Sequence, residues 1–482
     1  MIEPSFGLLI LADAATGWFS GSAGEVRSIA IAQWVVWSLF LFAFGASIGS
    51  FVNVVAHRLP RRASLVSPPS RCPVCGGLLS WRENLPVLGW LLLRGRCKRC
   101  GTSISPQYVL VEVVLGLLFV ATFLALYLPP AGSWWGADTG DWWIERQFGD
   151  SWPACLAVLS MLAILVPITL IDAKTFLIPL SLTLVMAAIA AVAWPVQALV
   201  EPGFRVSLAS PPVPLPLPST EIACAALGGM LGVAVLTWLL RTGRITPSFA
   251  DYESYVEEGE TLGDYPHARR ECLREAWQVG IVAMGLFIGW LVGGRMGASS
   301  LPDWLVAFGA VCVGYLVGGA MVWITRILGT LAFGREAMGL GDVHLLAAIG
   351  AVLGWGDAVA VFLIAPFFGI AAAAISGLLA AGWLGARFTE AGRRGREIPY
   401  GPHLALAAAF VVLGRPIVVE VRDAVLPPDV RERLVESARF TASIGAGSMA
   451  IEVGMEPTAW TDGQPSGGIP MGLAHGMMER MP

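Results

Sequence analysis

The chain has 482 residues, of which 56% are hydrophobic and only 14% charged. A soluble domain of this length does not need so much apolar surface, so the composition excludes an ordinary soluble fold and predicts an all-α polytopic membrane protein. The net charge of −4 is uninformative as a total, and no nucleic-acid partner is expected.

In chain order, residues 1–28 are expected to form an outside segment. It lacks a basic n-region and the first long apolar run begins only near residue 29, so it does not read as a cleavable signal peptide. Run 29–56 predicts the first span. Segment 57–106 then carries nine Arg or Lys and one Glu, whereas 138–150 carries four acids and one Arg. The positive-inside rule places the first in the cytoplasm and the second outside, with the N-terminus outside. Trp134, Trp135, Trp142 and Trp143 are expected to anchor at the lipid interface. Runs 113–137, 151–171 and 175–200 supply spans two to four. The Pro-rich stretch 211–218 reads as a stiff, extended connection.

Runs 222–240, 276–294, 304–325 and 358–386 follow. Most meet the length of about 20 residues that a spanning helix needs. With the shorter candidates 343–354 and 398–414, about ten spans are predicted. None alternates as barrel strands would. The domains expected are the first helix, the loop 57–106, helices two to four within 107–200, a further helix pair within 201–301, a core over 302–414, and an outside, disordered tail over 415–482. Loop 241–275 has eight acids and five Arg and reads as a solvated hairpin or lid, with partner docking left open. Within the tail, 428–440 is compatible with a short amphipathic helix, and 445–482 reads as disordered.

Of eight cysteines, Cys155, Cys224, Cys272 and Cys312 are scattered and read as small packing residues. The other four form Cys72-Pro-Val-Cys75, 21 residues, then Cys97-Lys-Arg-Cys100. Two such pairs can close a tetrahedral Zn²⁺ site of zinc-ribbon type, and Gly76 and Gly101 suit the knuckle turns. Four cysteine ligands leave no open coordination position, which assigns the metal to folding rather than catalysis. A redox pair and unligated thiols remain alternatives; structural disulfides are disfavoured in a reducing cytoplasmic loop.

Two aspartates stand at the predicted cytoplasmic ends of apolar runs. Asp172 ends span three, before Ile178-Pro179; Asp342 lies in Met338-Gly339-Leu340-Gly341-Asp342-Val343. A carboxyl group at a membrane boundary is costly to desolvate and marks a functional site by default. Brought together, two carboxyl groups share one proton and can activate water, which is aspartyl protease chemistry. Gly339 and Gly341 would let the backbone bend and approach a substrate. Lys174 offers Asp172 a simple ion-pair partner, and His344 is a candidate support for Asp342 or merely a polar residue at a helix start.

At these residues the sequence resembles the type IV prepilin peptidases, a family of leader peptidases and N-methyltransferases with a GxGD aspartate motif. The resemblance rests on Gly49-Ser-Phe-Val-Asn-Val-Val55, Arg58-Leu-Pro60, the cysteine loop with Trp81-Arg-Glu-Asn-Leu-Pro86, Glu112, Asp172 with Ile178-Pro179, Gly339-Leu-Gly-Asp342, and Pro399-Tyr-Gly-Pro402. It implies that Asp172 and Asp342 are the catalytic pair. It also implies cleavage after a glycine in the basic leader of prepilins or type II secretion pseudopilins, at the inner membrane, and methylation of the new N-terminus with S-adenosylmethionine. Leu180 replaces the family's usual Asp or Asn, His344 replaces a lysine, and 221–301 resembles an inserted pair of spans. No glycine-rich nucleotide loop in a βαβ setting is visible, so a methyl-donor site follows from the resemblance alone. The acidic stretch 251–260 is expected to attract a basic leader. A membrane methyltransferase without proteolysis and a proton-coupled transporter remain as other readings.

Overall fold

The computed structural model describes residues 22–127, 141–201, 217–249, 267–296, 301–334, 336–381 and 399–425. Helix α1 spans Ser22–Arg58, the short α2 spans Leu88–Leu92, α3 Pro106–Tyr127, α4 Asp141–Thr175, α5 Leu180–Val200 and α6 Thr220–Arg241. Then come α7 over Ala268–Gly293, α8 Asp303–Phe333, α9 Leu340–Leu353, α10 Trp355–Ala381, α11 Gly401–Leu413 and α12 Arg415–Val425. Among the described residues there is no strand, only the isolated bridges Arg71–Leu78 and Arg96–Ser103. The all-α membrane reading holds: among the described residues eight helices are long and apolar enough to cross a bilayer, and α9 and α11 are the two shorter apolar helices anticipated.

Helices associate where side chains are smallest. Gly45 and Gly49 of α1 lie against α3, so near that a Cβ on Gly49 would stand 2.7 Å from the Glu112 Cα. Gly228 of α6 meets Gly285 of α7 backbone to backbone, and Gly289 meets the Cys224 carbonyl. Gly314 and Gly318 of α8 meet Gly350 and Leu346 of α9 in the same way. In lipid, where apolar burial adds little between helices, such close backbone approach is a main source of association.

Helix α9 holds the centre. Its 14 residues reach about 21 Å, short of a hydrocarbon core of about 30 Å. Residues Leu345 to Leu353 are all buried, so it is apolar all round because it is walled all round, by α4, α5, α8, α10 and α11.

Several expectations change. Trp142 and Trp143 are buried, packing edge to face with each other at 4.8 Å between ring centroids, and Trp143 also packs against Tyr127; they are core residues rather than interface anchors. Trp134 and Trp135 lie outside the described residues. The segment expected to be disordered from residue 415 begins with a helix, α12, tied to the start of α10 by Arg415 and Asp357 at 2.9 Å. Residues 211–216, 250–266, with the acidic stretch, and 426–482 lie outside the described residues. Cys155, Cys224, Cys272 and Cys312 are buried, as packing residues should be.

Candidate active site and cysteine cluster

Asp172 occupies the last turn of α4, which ends at Thr175 because Phe176 turns to a positive φ of 55° ahead of Ile178-Pro179. The residue is only 4% exposed and its Oδ2 accepts the Gly401 N–H at 3.1 Å, from a residue 229 positions along the chain. Gly401 opens α11, directed there by Pro402, which suits a first helical turn because it needs no N–H partner. A Cβ on Gly401 would stand 2.6 Å from Asp172 Oδ2, so this position has no room for a side chain.

Asp342 sits in the first turn of α9, 8% exposed, with its N–H donating to the Gly339 carbonyl at 3.2 Å. Gly339 is extended, and a Cβ there would stand 3.4 Å from Asp342 Oδ2. Gly341 is helical and makes room for Ile178, whose Cβ would lie 2.9 Å from an added Cβ. Of the two motif glycines, Gly341 thus acts by omission of volume, whereas a Cβ on Gly339 would make an ordinary contact; neither takes a left-handed conformation. Ile178 also approaches Gly401, so one side chain spaces the segments that carry the two carboxyl groups. Asp172 and Asp342 are near enough for their charges to interact, and Tyr400 feels the charge of Asp342.

Lys174 is exposed, and the described residues give it no ion pair with Asp172. His344 is half-buried but lies two residues past Asp342, about 200° around the helix, so it leaves the Asp342 face. The residues that do frame the pair, Gly401, Tyr400 and Ile178, belong to Pro399-Tyr-Gly-Pro402 and Ile178-Pro179. Those motifs stand out in the sequence, but nothing local ties residue 401 to residue 172.

The cysteine loop leaves α1 at Arg58, whose guanidinium donates to the Ser64 and Pro68 carbonyls. Two knuckles repeat one geometry. Cys72 N–H donates to the Gly77 carbonyl and Gly76 N–H to the Cys72 carbonyl; Cys97 with Thr102, and Gly101 with Cys97, do the same. Gly76 and Gly101 have φ of 68° and 71°, the left-handed turn that favours glycine. The four sulfurs lie within 4.8 Å of one another, with Cys72–Cys100 at 3.9 Å and Cys75–Cys97 at 4.0 Å. A Zn–S bond of about 2.3 Å in a tetrahedron sets sulfur separations near 3.8 Å, so the cluster fits a metal. Backbone N–H groups of Cys75 and Val74 pull the Cys72 thiol down to about 6, and those of Cys100 and Arg99 lower Cys97. At Cys100 the Thr102 N–H pulls down, but burial and the three neighbouring sulfurs outweigh it and raise the thiol to about 11. The loop is fixed to the helices where Val87 N–H donates to Glu112 Oε2 at 2.7 Å, while Asn53 of α1 bonds the Tyr108 carbonyl of α3 at 3.0 Å.

Two buried carboxyl groups from distant segments, within range of each other's charge at the ends of apolar helices, and a four-thiol cluster mark a polytopic membrane protein with a candidate acid–base site. Two family profiles match it: the Bacterial Peptidase A24 N-terminal domain over residues 43–126, and the Type IV leader peptidase family over 275–374. A prepilin leader peptidase/N-methyltransferase of Klebsiella pneumoniae is 33% identical over 236 residues, 47% of this chain and 86% of the relative. One of Aeromonas salmonicida is 26% identical over 405 residues, 79% of this chain and 91% of the relative. One of Myxococcus xanthus is 40% identical over 148 residues, 31% of this chain and 37% of the relative. No solved structure matches. The chain belongs to the prepilin leader peptidase/N-methyltransferase family and is a peptidase of that family.

Proposed function

We propose that this protein is an aspartyl endopeptidase of the bacterial inner membrane that removes the basic leader of type IV prepilins or type II secretion pseudopilins at the cytoplasmic face. Asp172 and Asp342 are the catalytic pair. The supporting observation is that two buried carboxyl groups, at the ends of α4 and α9, lie within range of each other's charge, in a setting where Gly401 and Gly341 leave no competing side chain.

The pair works with one proton between its members. One carboxylate draws a proton from water; the other, protonated, polarises the scissile carbonyl, and the water oxygen bonds to the carbonyl carbon. Collapse breaks the C–N bond as the amine takes a proton. The pair titrates as a unit, so the roles are not divided between residues. The prepilin's apolar helix lies in the bilayer beside the enzyme, and its depth sets which bond reaches the pair.

Cys72, Cys75, Cys97 and Cys100 would hold one structural Zn²⁺, which locks the two knuckles together. N-methylation of the new N-terminus from S-adenosylmethionine is the second activity; the names of the relatives support it.

The test is leader cleavage of a co-expressed prepilin from the same genome. Asp172→Asn and Asp342→Asn should each lower cleavage at least about 100-fold, the lower bound for loss of a positioned acid or base. Wild-type cleavage by both variants would overturn the reading. Mass analysis of the mature N-terminus reports methylation separately.

A further inference from the structure

Arg326 lies in α8 and is 2% exposed, within an apolar helix where a charge is costly. Its Nε and Nη2 donate to Glu275 of α7 at 3.1 and 3.0 Å. The remaining nitrogen, Nη1, donates to Glu336 and to the Met338 carbonyl. Glu275 is itself completed by the Trp323 indole N–H at 3.1 Å and the Ser248 hydroxyl at 2.9 Å. The Phe249 ring covers the guanidinium at 5.1 Å. A second tie holds the same segment, since Ala337 N–H donates to Thr330 Oγ1 at 3.2 Å.

The direction of these bonds matters. Two fix Arg326 to α7, and the others reach the segment between α8 and α9. Met338 immediately precedes Gly339, whose carbonyl accepts the Asp342 N–H. The chain of contacts therefore runs from Glu275 through Arg326 to Met338, Gly339 and Asp342. We propose that Arg326 is a positioning residue for Asp342, and that helices α6 and α7 serve the reaction by delivering Glu275 to hold Arg326 in place. This rests on the reading of Asp342 as catalytic.

A buried ion pair is weak grounds for a stability role, because apolar replacements of similar volume are often neutral or stabilising. That separates the two roles. The full-length enzyme carrying Arg326→Met together with Glu275→Met, purified in detergent, should melt within a few degrees of wild type, because neither charge of the central pair is left buried alone and only Glu336, whose side chain is 17% exposed, loses a partner. Its kcat on a prepilin substrate should fall about 100-fold with KM within about twofold, as expected for a small misplacement at the reacting centre. Backbone amides of residues 336–342 should exchange faster in this variant. A second variant, Arg326→Lys, keeps the charge but not the planar fork. Its kcat should fall about tenfold, a partial rescue relative to the double variant. Wild-type kcat in a folded double variant overturns the proposal; if that variant fails to fold, wild-type kcat in Arg326→Lys does so. Asp172→Asn and Asp342→Asn run in the same assay. If those two retain cleavage, the catalytic reading fails. If they lose it while the Arg326 variants do not, only the positioning role fails.

Discussion

Asp172 fills the space where a side chain on residue 401 would go, and the same glycine supplies the N–H that the carboxyl accepts. Gly401→Ala must either push that carboxyl aside or move the start of α11. We expect a drop in kcat of about 100-fold with little change in melting temperature, measured by leader cleavage and thermal unfolding in detergent. A variant that cleaves normally would show that the 3.1 Å contact does not set the position of Asp172. At this scale the sequence singles out the two aspartates as candidates, because a carboxyl group beside a long apolar run is conspicuous. It hides Gly401 and Ile178, whose contribution is shape at a distance along the chain. It leaves Lys174 and His344 open, since adjacency in sequence suggests contacts, and the described residues give Lys174 no ion pair with Asp172 while helix geometry turns His344 off the Asp342 face. Arg326 could have been flagged as a lone cation within a long apolar helix; its partner Glu275 could not, since pairing across α7 and α8 is a tertiary fact.

Among elements, α6 and α7 form a unit through Gly228, Gly285 and Gly289. Replacing Gly285 or Gly289 with Leu inserts volume between touching backbones, and overpacking costs about 1–3 kcal/mol. We expect a lower melting temperature, and also slower cleavage, because moving α7 moves Glu275. Melting and kcat measured on the same preparation test both. A variant that melts lower but cleaves at the wild-type rate would separate the helix pair from the site. Span positions were legible because lipid demands long apolar runs, and even the two short runs, α9 and α11, were visible. Why they are short was not, since burial of α9 on all sides comes from its neighbours rather than its own pattern. The misplaced Trp142 and Trp143 have the same origin: tryptophans near a span end suit either an interface or a core, and Tyr127 decides for the core.

Across the whole molecule, the cysteine loop and the carboxyl pair are built from different parts of the chain. The loop attaches through Arg58 at the end of α1 and through Val87 to Glu112 of α3. The pair is carried by α4 and α9 and framed by α11, and among the described residues no hydrogen bond joins a knuckle residue to Asp172 or Asp342. Metal removal should therefore act on the loop first. On the proposal that the four thiols hold one Zn²⁺, the purified wild-type protein should carry one equivalent of metal by elemental analysis, and Cys72→Ser with Cys97→Ser together should remove it, because two of four ligands are gone. Limited proteolysis should then cut within 63–105, while fragments that carry the membrane helices persist. Leader cleavage should fall by less than about tenfold, since the loop reaches the pair through Glu112 and the packing of α1 and α3 rather than through a hydrogen bond to either aspartate, and sites with no shared partners couple weakly. A loss as large as that of Asp342→Asn, at normal protein levels, would mean that the loop helps to hold the substrate at the pair, and would join two sites that the helices keep apart.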